Sequence, residues 1–186
     1  MGDAFRASHL FDGSENAAAV QLGGPSGQML GPGQFHRTIC YDDLATGGSV
    51  IVFGPERDLL EVAHGFLGFF VEESCGFCTP CRVGNVLLRE RLARFLAGRA
   101  EAADIAYLEE LGQTVKLTSR CGLGQTSSHP VLTTLKNFRP LYEARTRKTT
   151  DGRQPTFDLA AAVRTAKGIA GHASAHAPQP VHLSLT

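Results

Sequence analysis

Hydrophobic positions along this chain change period near residue 55, from the short apolar runs of strands to the three- and four-residue steps of helices. Before that point, residues 17–22 are mostly apolar and run into Gly23-Gly24-Pro25-Ser26-Gly27, a turn-forming stretch. No helical pattern follows it and Gly31-Pro32-Gly33 continues the loop, so it reads as a structural turn rather than a phosphate cradle. Residues 37–41 read as extended, with Cys40 as a small buried hydrophobe among them. Ser49-Val50-Ile51-Val52-Phe53 is rich in β-branched residues between Gly47-Gly48 and Gly54-Pro55, and predicts a strand.

After Pro55 the steps become helical. Asp58 followed by Glu61 is an acidic cap with an acidic third position, and Leu59, Val62, Ala63, Phe66, Phe69 and Phe70 form the stripe behind it. Val86, Leu87, Leu88, Leu92, Phe95 and Leu96 mark a second helix, closed by Gly98, whose outer face carries Arg89, Glu90, Arg91 and Arg94. Asp104 is the expected cap of a third, with Ile105, Leu108, Leu111 and Val115 inside. A fourth spans about residues 130–142 through Val131, Leu132, Leu135, Phe138 and Leu141, with Pro140 placed to kink or end it.

The predicted fold is mainly α: a four-helix bundle preceded by a small β-rich part. The expected divisions are a loose arm at residues 1–18, a β-rich segment at 19–56, the helical domain at 57–145, and an extension at 146–186. That extension is expected to hold a short helix at about 157–169 and then a disordered tail. Lys plus Arg equals Asp plus Glu at 18 each, so no net field recruits nucleic acid or an acidic membrane. The longest apolar run, residues 66–71, is far short of a membrane span. The first residues lack the basic and apolar regions of an export signal, so a cytoplasmic location and reduced cysteines are expected.

Those cysteines carry the candidate chemistry. Cys75, Cys78 and Cys81 stand at two-residue spacing in Glu73-Ser74-Cys75-Gly76-Phe77-Cys78-Thr79-Pro80-Cys81-Arg82, and Cys121 arrives later in Ser119-Arg120-Cys121-Gly122-Leu123-Gly124. Three thiols on one tight loop plus a distant fourth suit a cubane [4Fe-4S] cluster, each iron held by one thiolate. Structural zinc more often divides its ligands into two pairs, yet all-cysteine zinc sites tolerate varied spacings and stay a rival reading. A disulfide framework fits poorly, because thiols this close on one loop bridge badly. An even number of antiparallel crossings between Cys81 and Cys121 places both segments at one end of the bundle. Arg82 and Arg120 beside the cysteines suit either a role in raising the potential of a cluster or surface ion pairs.

The same two segments resemble the C-terminal iron-sulfur region of the flavin-containing NADH-oxidising subunit of respiratory complex I and its soluble relatives. The resemblance spans residues 19 to about 169, and 19–27 resembles the end of that family's ubiquitin-like domain. It implies a [4Fe-4S] cluster on Cys75, Cys78, Cys81 and Cys121 that takes electrons from reduced FMN, with Gly122 and Leu123 facing the flavin. Val83-Gly84-Asn85 stands where complex I members carry an acidic residue after Cys-Arg. It is more similar to the diaphorase subunits of NAD-dependent formate dehydrogenases and NAD-reducing hydrogenases, with a lean towards formate dehydrogenase. Nothing upstream of residue 19 resembles the family's flavin and dinucleotide domain. FMN and NAD are therefore expected only through a missing or partner domain, other oxidoreductase subunits are the expected partners, and the chain alone is not expected to be catalytic. The rival functions are a zinc module for protein association and an inactive remnant.

Overall fold

The structure, a computed structural model, describes residues 17–147. The short helix expected at 157–169, the tail after it and nearly all of the expected arm lie outside the described residues. Strand β1 (Ala19–Leu22) pairs antiparallel with both β2 (Gln28–Leu30) and β3 (Val50–Phe53), giving the order β2-β1-β3. Val20 lies opposite Leu30 on one side and Val52 on the other. The central strand is buried along its length because both faces are covered: Val20 and Leu22 pack with Leu30 and Leu44, and Ala19 packs with Met29, Phe53 and Leu59.

The turn between β1 and β2 takes Gly23 and Gly24 through φ of 83° and 63°, the left-handed region where a side chain is strained. Strand β2 lies where the sequence pattern predicts continuing loop; three residues between glycines are too few to show a period. Residues 37–41 also differ from expectation. They form no strand but an irregular loop of bends with one bridge residue at Thr38, and Cys40 is exposed rather than buried in a strand. The cause is Asp43, whose carboxylate accepts from Arg37 Nε at 2.9 Å and from the Thr38 amide at 3.1 Å, folding the loop back on itself.

Five helices follow: α1 (Leu59–Glu73), α2 (Thr79–Leu96), α3 (Ala102–Thr118), the short α4 (Gly122–Ser127) and α5 (His129–Glu143). Four of them are the predicted set. Asp58 caps α1 through the amides of Leu60 and Glu61. At α3 the cap is Glu101, and Asp104 stands three residues inside, returning a bond to the Glu101 amide in a capping box. Pro140 lies inside α5, and the break falls at Phe138, whose φ of −135° and ψ of 33° are not helical.

Helices α1, α2, α3 and α5 pack in a ring, each against the next, while α4 lodges against α1, α2 and α3. Leu60, Leu67, Leu88, Leu92, Phe95, Leu108, Val131 and Tyr142 fill the centre. Several residues of the predicted stripes face elsewhere. Phe69, Val86 and Leu87 are exposed, while Leu60 and Leu67 are fully buried. Helix α1 contributes to the bundle core on one side and, through Leu59, Val62 and Phe66, to the sheet on another, which widens its apolar face. The kink in α5 turns Leu141 outward and Tyr142 inward, where its hydroxyl meets Thr134 Oγ1 at 2.6 Å. The sheet is fixed to α5 by Asn137 Nδ2 donating to the Met29 carbonyl at 2.6 Å and by the Met29 amide donating to Thr133 Oγ1 at 3.2 Å. No helix of the described residues is long and apolar enough to cross a membrane.

Candidate metal centre

The end of α1 and the start of α2 build the first half of the site. Ser74 ends α1, and Gly76 turns the chain at φ 73° while Arg82 Nη1 holds the Gly76 carbonyl at 3.0 Å. The three thiols are not all on a loop, as the spacing suggests. Cys75 lies in the loop, Cys78 is the N-cap of α2, and Cys81 is already inside its first turn, helped by Pro80, whose fixed φ suits a helix start. Burial follows that order: Cys75 is exposed, Cys78 half-buried, and Cys81 4% exposed. All five cysteines are free.

The second half arrives because α2 runs away from this end and α3 runs back to it. Ser119 ends α3, and Cys121, which is exposed, caps α4. The Cys78 thiol is held below its ordinary range first by the Arg120 backbone N–H, then by the N–H of Cys81, so the two segments meet at this sulfur. The Ser119 hydroxyl is buried without a well-formed hydrogen bond, and it too lies close enough to favour the Cys78 thiolate. Gly124 closes the seam. A Cβ built there would stand 2.6 Å from Ser119 Cβ and 3.2 Å from Cys81 Cβ, so only glycine lets α4 approach this near. Gln125 Nε2 donates to the Ser119 carbonyl at 3.2 Å and ties α4 back to the end of α3.

Donors converge on the buried sulfur. Asn85 Nδ2 donates to Cys81 Sγ at 3.4 Å, one helical turn on. Ser74 Oγ lies 3.4 Å from the same sulfur and accepts the Gly76 amide at 3.2 Å, which leaves its own proton for the sulfur. Sequence reasoning did not single out Ser74, Ser119 or Asn85 as neighbours of the thiols. The available signal was a polar residue on the buried face of α2, four positions from Cys81. Arg82 and Arg120 form no ion pair among the described residues. Arg82 braces the Gly76 carbonyl, and Arg120 stands 5.0 Å above the ring of Phe77, which is 72% exposed. Gly122 is exposed and Leu123 half-buried, both in the first turn of α4.

This donor set fits an iron-sulfur cluster: free thiols, two of them at helix N-caps, with backbone and side-chain N–H and O–H groups turned towards sulfur and no carboxylate hydrogen-bonded to it. Among the described residues, no group of three or more His, Cys, Asp or Glu side chains is placed to hold a metal ion, the cysteines included. Fold and donor set together define a small helical iron-sulfur binding domain. Residues 61–145 match the NADH-ubiquinone oxidoreductase-F iron-sulfur binding region, and this part of the chain is similar to the corresponding part of hydrogenase and NADH-ubiquinone oxidoreductase subunits.

Among curated relatives, the NAD-reducing hydrogenase HoxS subunit alpha of Cupriavidus necator is 42% identical over 148 residues, covering 79% of this chain and 25% of the relative. The NADP-reducing hydrogenase subunit HndC of Solidesulfovibrio fructosivorans is 40% identical over 132 residues, covering 68% of this chain and 27% of that one. The mitochondrial NADH-ubiquinone oxidoreductase 51 kDa subunit of Aspergillus niger is 32% identical and covered to 29%. The H2-reduced crystal structure of an NAD+-reducing [NiFe]-hydrogenase superposes with a TM-score of 0.74 at 32% identity, over 90% of this chain and 30% of that one. The chain thus spans about a quarter to a third of the length of these relatives.

Proposed function

We propose that this chain is the [4Fe-4S] electron-transfer module of an NADH-dependent oxidoreductase, with Cys75, Cys78, Cys81 and Cys121 as the ligands. The observation that carries this is the meeting of the two cysteine segments: the Arg120 guanidinium, next in the chain to Cys121, stands 5.0 Å above the Phe77 ring, and a Cβ at Gly124 would lie 3.2 Å from Cys81 Cβ. When bound, the cluster supplies a one-electron carrier. The protein's part is to present thiolates, to shield Cys81 and to surround sulfur with N–H and O–H donors.

Gly122 and Leu123, at the exposed start of α4 beside Cys121, are the residues we assign to the approach of a flavin donor. Phe77 and the exposed Cys75 and Cys121 give the site an open side on which a flavin domain can dock. FMN and NAD belong to that domain, and the partners are other subunits of an NAD-linked assembly working in the cytoplasm. The hydrogenase relatives support the hydrogenase type of terminal enzyme, and a formate dehydrogenase is the other soluble type in this reading.

Anaerobic reconstitution with iron and sulfide tests the proposal. About four irons with matching sulfide per chain, brown colour and a paramagnetic signal on reduction are expected, and Cys78→Ala or Cys121→Ala abolishes them. One colourless zinc per chain in their place establishes the structural-zinc reading. NADH-dependent dye reduction by the chain alone, with or without FMN, contradicts the assignment of flavin and NAD to another domain.

A further inference from the structure

Asn85 is fully buried on the core side of α2, between Gly84 and Leu88, where an apolar side chain would ordinarily lie. Its Nδ2 donates to Cys81 Sγ at 3.4 Å, but its Oδ1 is buried with no hydrogen-bond partner among the described residues. Such a carbonyl loses its hydration and gets nothing back, so packing alone does not account for the amide. What the side chain does make is one bond, to a sulfur. Ser74 brings a second donor to the same atom from the end of α1, also at 3.4 Å. Among the described residues the exposed sulfurs of Cys75 and Cys121 receive no side-chain donor. The side-chain bonds from Asn85 and Ser74 thus both fall on the buried sulfur, while the groups that favour the Cys78 thiolate are chiefly backbone N–H.

We infer that Asn85 is a positioning residue that sets the reduction potential, its side-chain N–H to the Cys81 sulfur making the centre easier to reduce. The inference rests on the cluster reading above. Reduction adds one electron, taken from a low-potential donor such as dithionite, and in this step no bond breaks and no proton moves. The extra negative charge is spread over the cysteine sulfurs. A donor N–H aimed at one of them stabilises the reduced form more than the oxidised form, and burial at 0% exposure keeps water from screening it. Ser74 acts in the same sense. Arg82 and Arg120, committed to the Gly76 carbonyl and the Phe77 ring, are not among the groups bonded to this sulfur.

The test is a redox titration of the reconstituted full chain, followed by electron paramagnetic resonance, in the wild type, Asn85→Leu, Asn85→Ala and Ser74→Ala. Iron and sulfide are counted first. A wild type that takes up no cluster refutes the function proposed above, before Asn85 comes into question. With the cluster in place, each Asn85 variant is expected to make reduction about tenfold less favourable, a fall of about 59 mV for one electron. Ser74→Ala shifts the potential in the same direction. If Asn85→Leu fails to load, Asn85→Ala, which leaves a gap without adding volume, carries the measurement. Unchanged midpoints in the loaded Asn85 variants, even with fewer clusters per chain, reduce Asn85 to a packing residue and overturn the inference.

Discussion

Gly124→Ala tests the close approach of α4 to Ser119 and Cys81, on which the proposed placing of Cys121 depends. The added Cβ would lie 2.6 Å from Ser119 Cβ and 2.7 Å from its hydroxyl, whereas ordinary contact begins at 3.4 Å, so the seam must open by about 0.8 Å. Ser119 cannot easily retreat, being 5% exposed and held at its carbonyl by Gln125. The displacement therefore falls on α4 and on Cys121 at its cap. Overpacking of this kind costs about 1–3 kcal/mol. Removing a glycine from a helix returns about 1 kcal/mol, which leaves a net loss of about 0–2 kcal/mol. Urea unfolding of the apo chain should show only that modest change. Retention of the cluster should suffer more, because one ligand has moved while the others have not. Bleaching of the reconstituted protein by an iron chelator should run about tenfold faster, equivalent to about 1.4 kcal/mol on the barrier. Gly122→Ala is the internal control, since a Cβ there meets nothing within 4 Å, and it should bleach at the wild-type rate. If Gly124→Ala bleaches no faster than the wild type, the close approach of α4 does not set the position of Cys121, and the account of the seam is wrong.

Three further outcomes are expected. Asp104 is 3% exposed, accepts from Arg91 and from Arg94 at 3.2 Å, and takes the Glu101 amide at 2.8 Å, so Asp104→Ala should cost about 2–3 kcal/mol in urea unfolding, with α3 fraying first by hydrogen exchange. Tyr142→Phe should cost only about 1 kcal/mol in the same assay, since Thr134 keeps the Pro130 carbonyl as a partner; in the wild type, burial pushes the phenol up and no phenolate absorbance should appear before unfolding. His129 and His64 are both held below 6.5, mainly by burial, which at His129 outweighs the opposing bond to the Ser26 carbonyl and is aided by Lys116, and at His64 is aided by Arg89, so the unfolded chain binds protons first. Their contribution is complete above about pH 6.5 and is lost as pH falls through the lower folded values. Unfolding free energies should fall from pH 7.5 to 5, less steeply in His129→Gln, and a flat profile would show that neither ring is kept neutral by the fold.

The elements that could be read from the sequence are those whose cause lies within a few residues. Asp58 caps α1 because its carboxylate reaches the amides two and three positions on, and the breakers around β3 act locally in the same way. The cysteine spacing is likewise a local pattern. What could not be read depends on contacts made across the fold. Leu60 and Leu67 are buried and Phe69 is not because α1 serves two cores, a fact absent from any single stripe. Helix α4 has six residues, two of them glycine, and its intrinsic preference argues against it. It forms where Cys121 is extended, Gln125 finds the Ser119 carbonyl and Gly124 slides past Ser119.

That difference bears directly on the site. Four thiols can be counted from the sequence, but their inequality cannot, since it arises from which helix end each one occupies. Cys81 enters the first turn of α2 and is buried under Asn85 and Ser74, while Cys75 stays in the loop and Cys121 stands at an open cap. One side of the centre is thereby dry and rich in donors, and the other meets solvent beside Phe77, which is 72% exposed. In the proposed carrier this separates two tasks. Cys81, as the buried ligand, fixes how readily the electron is held, and Cys75 and Cys121, as exposed ligands, leave a short path for its entry and exit. Substitutions on the dry side should therefore move the potential while leaving access unchanged. Substitutions at Phe77 should alter how a donor docks while the potential stays where Asn85 and Ser74 hold it.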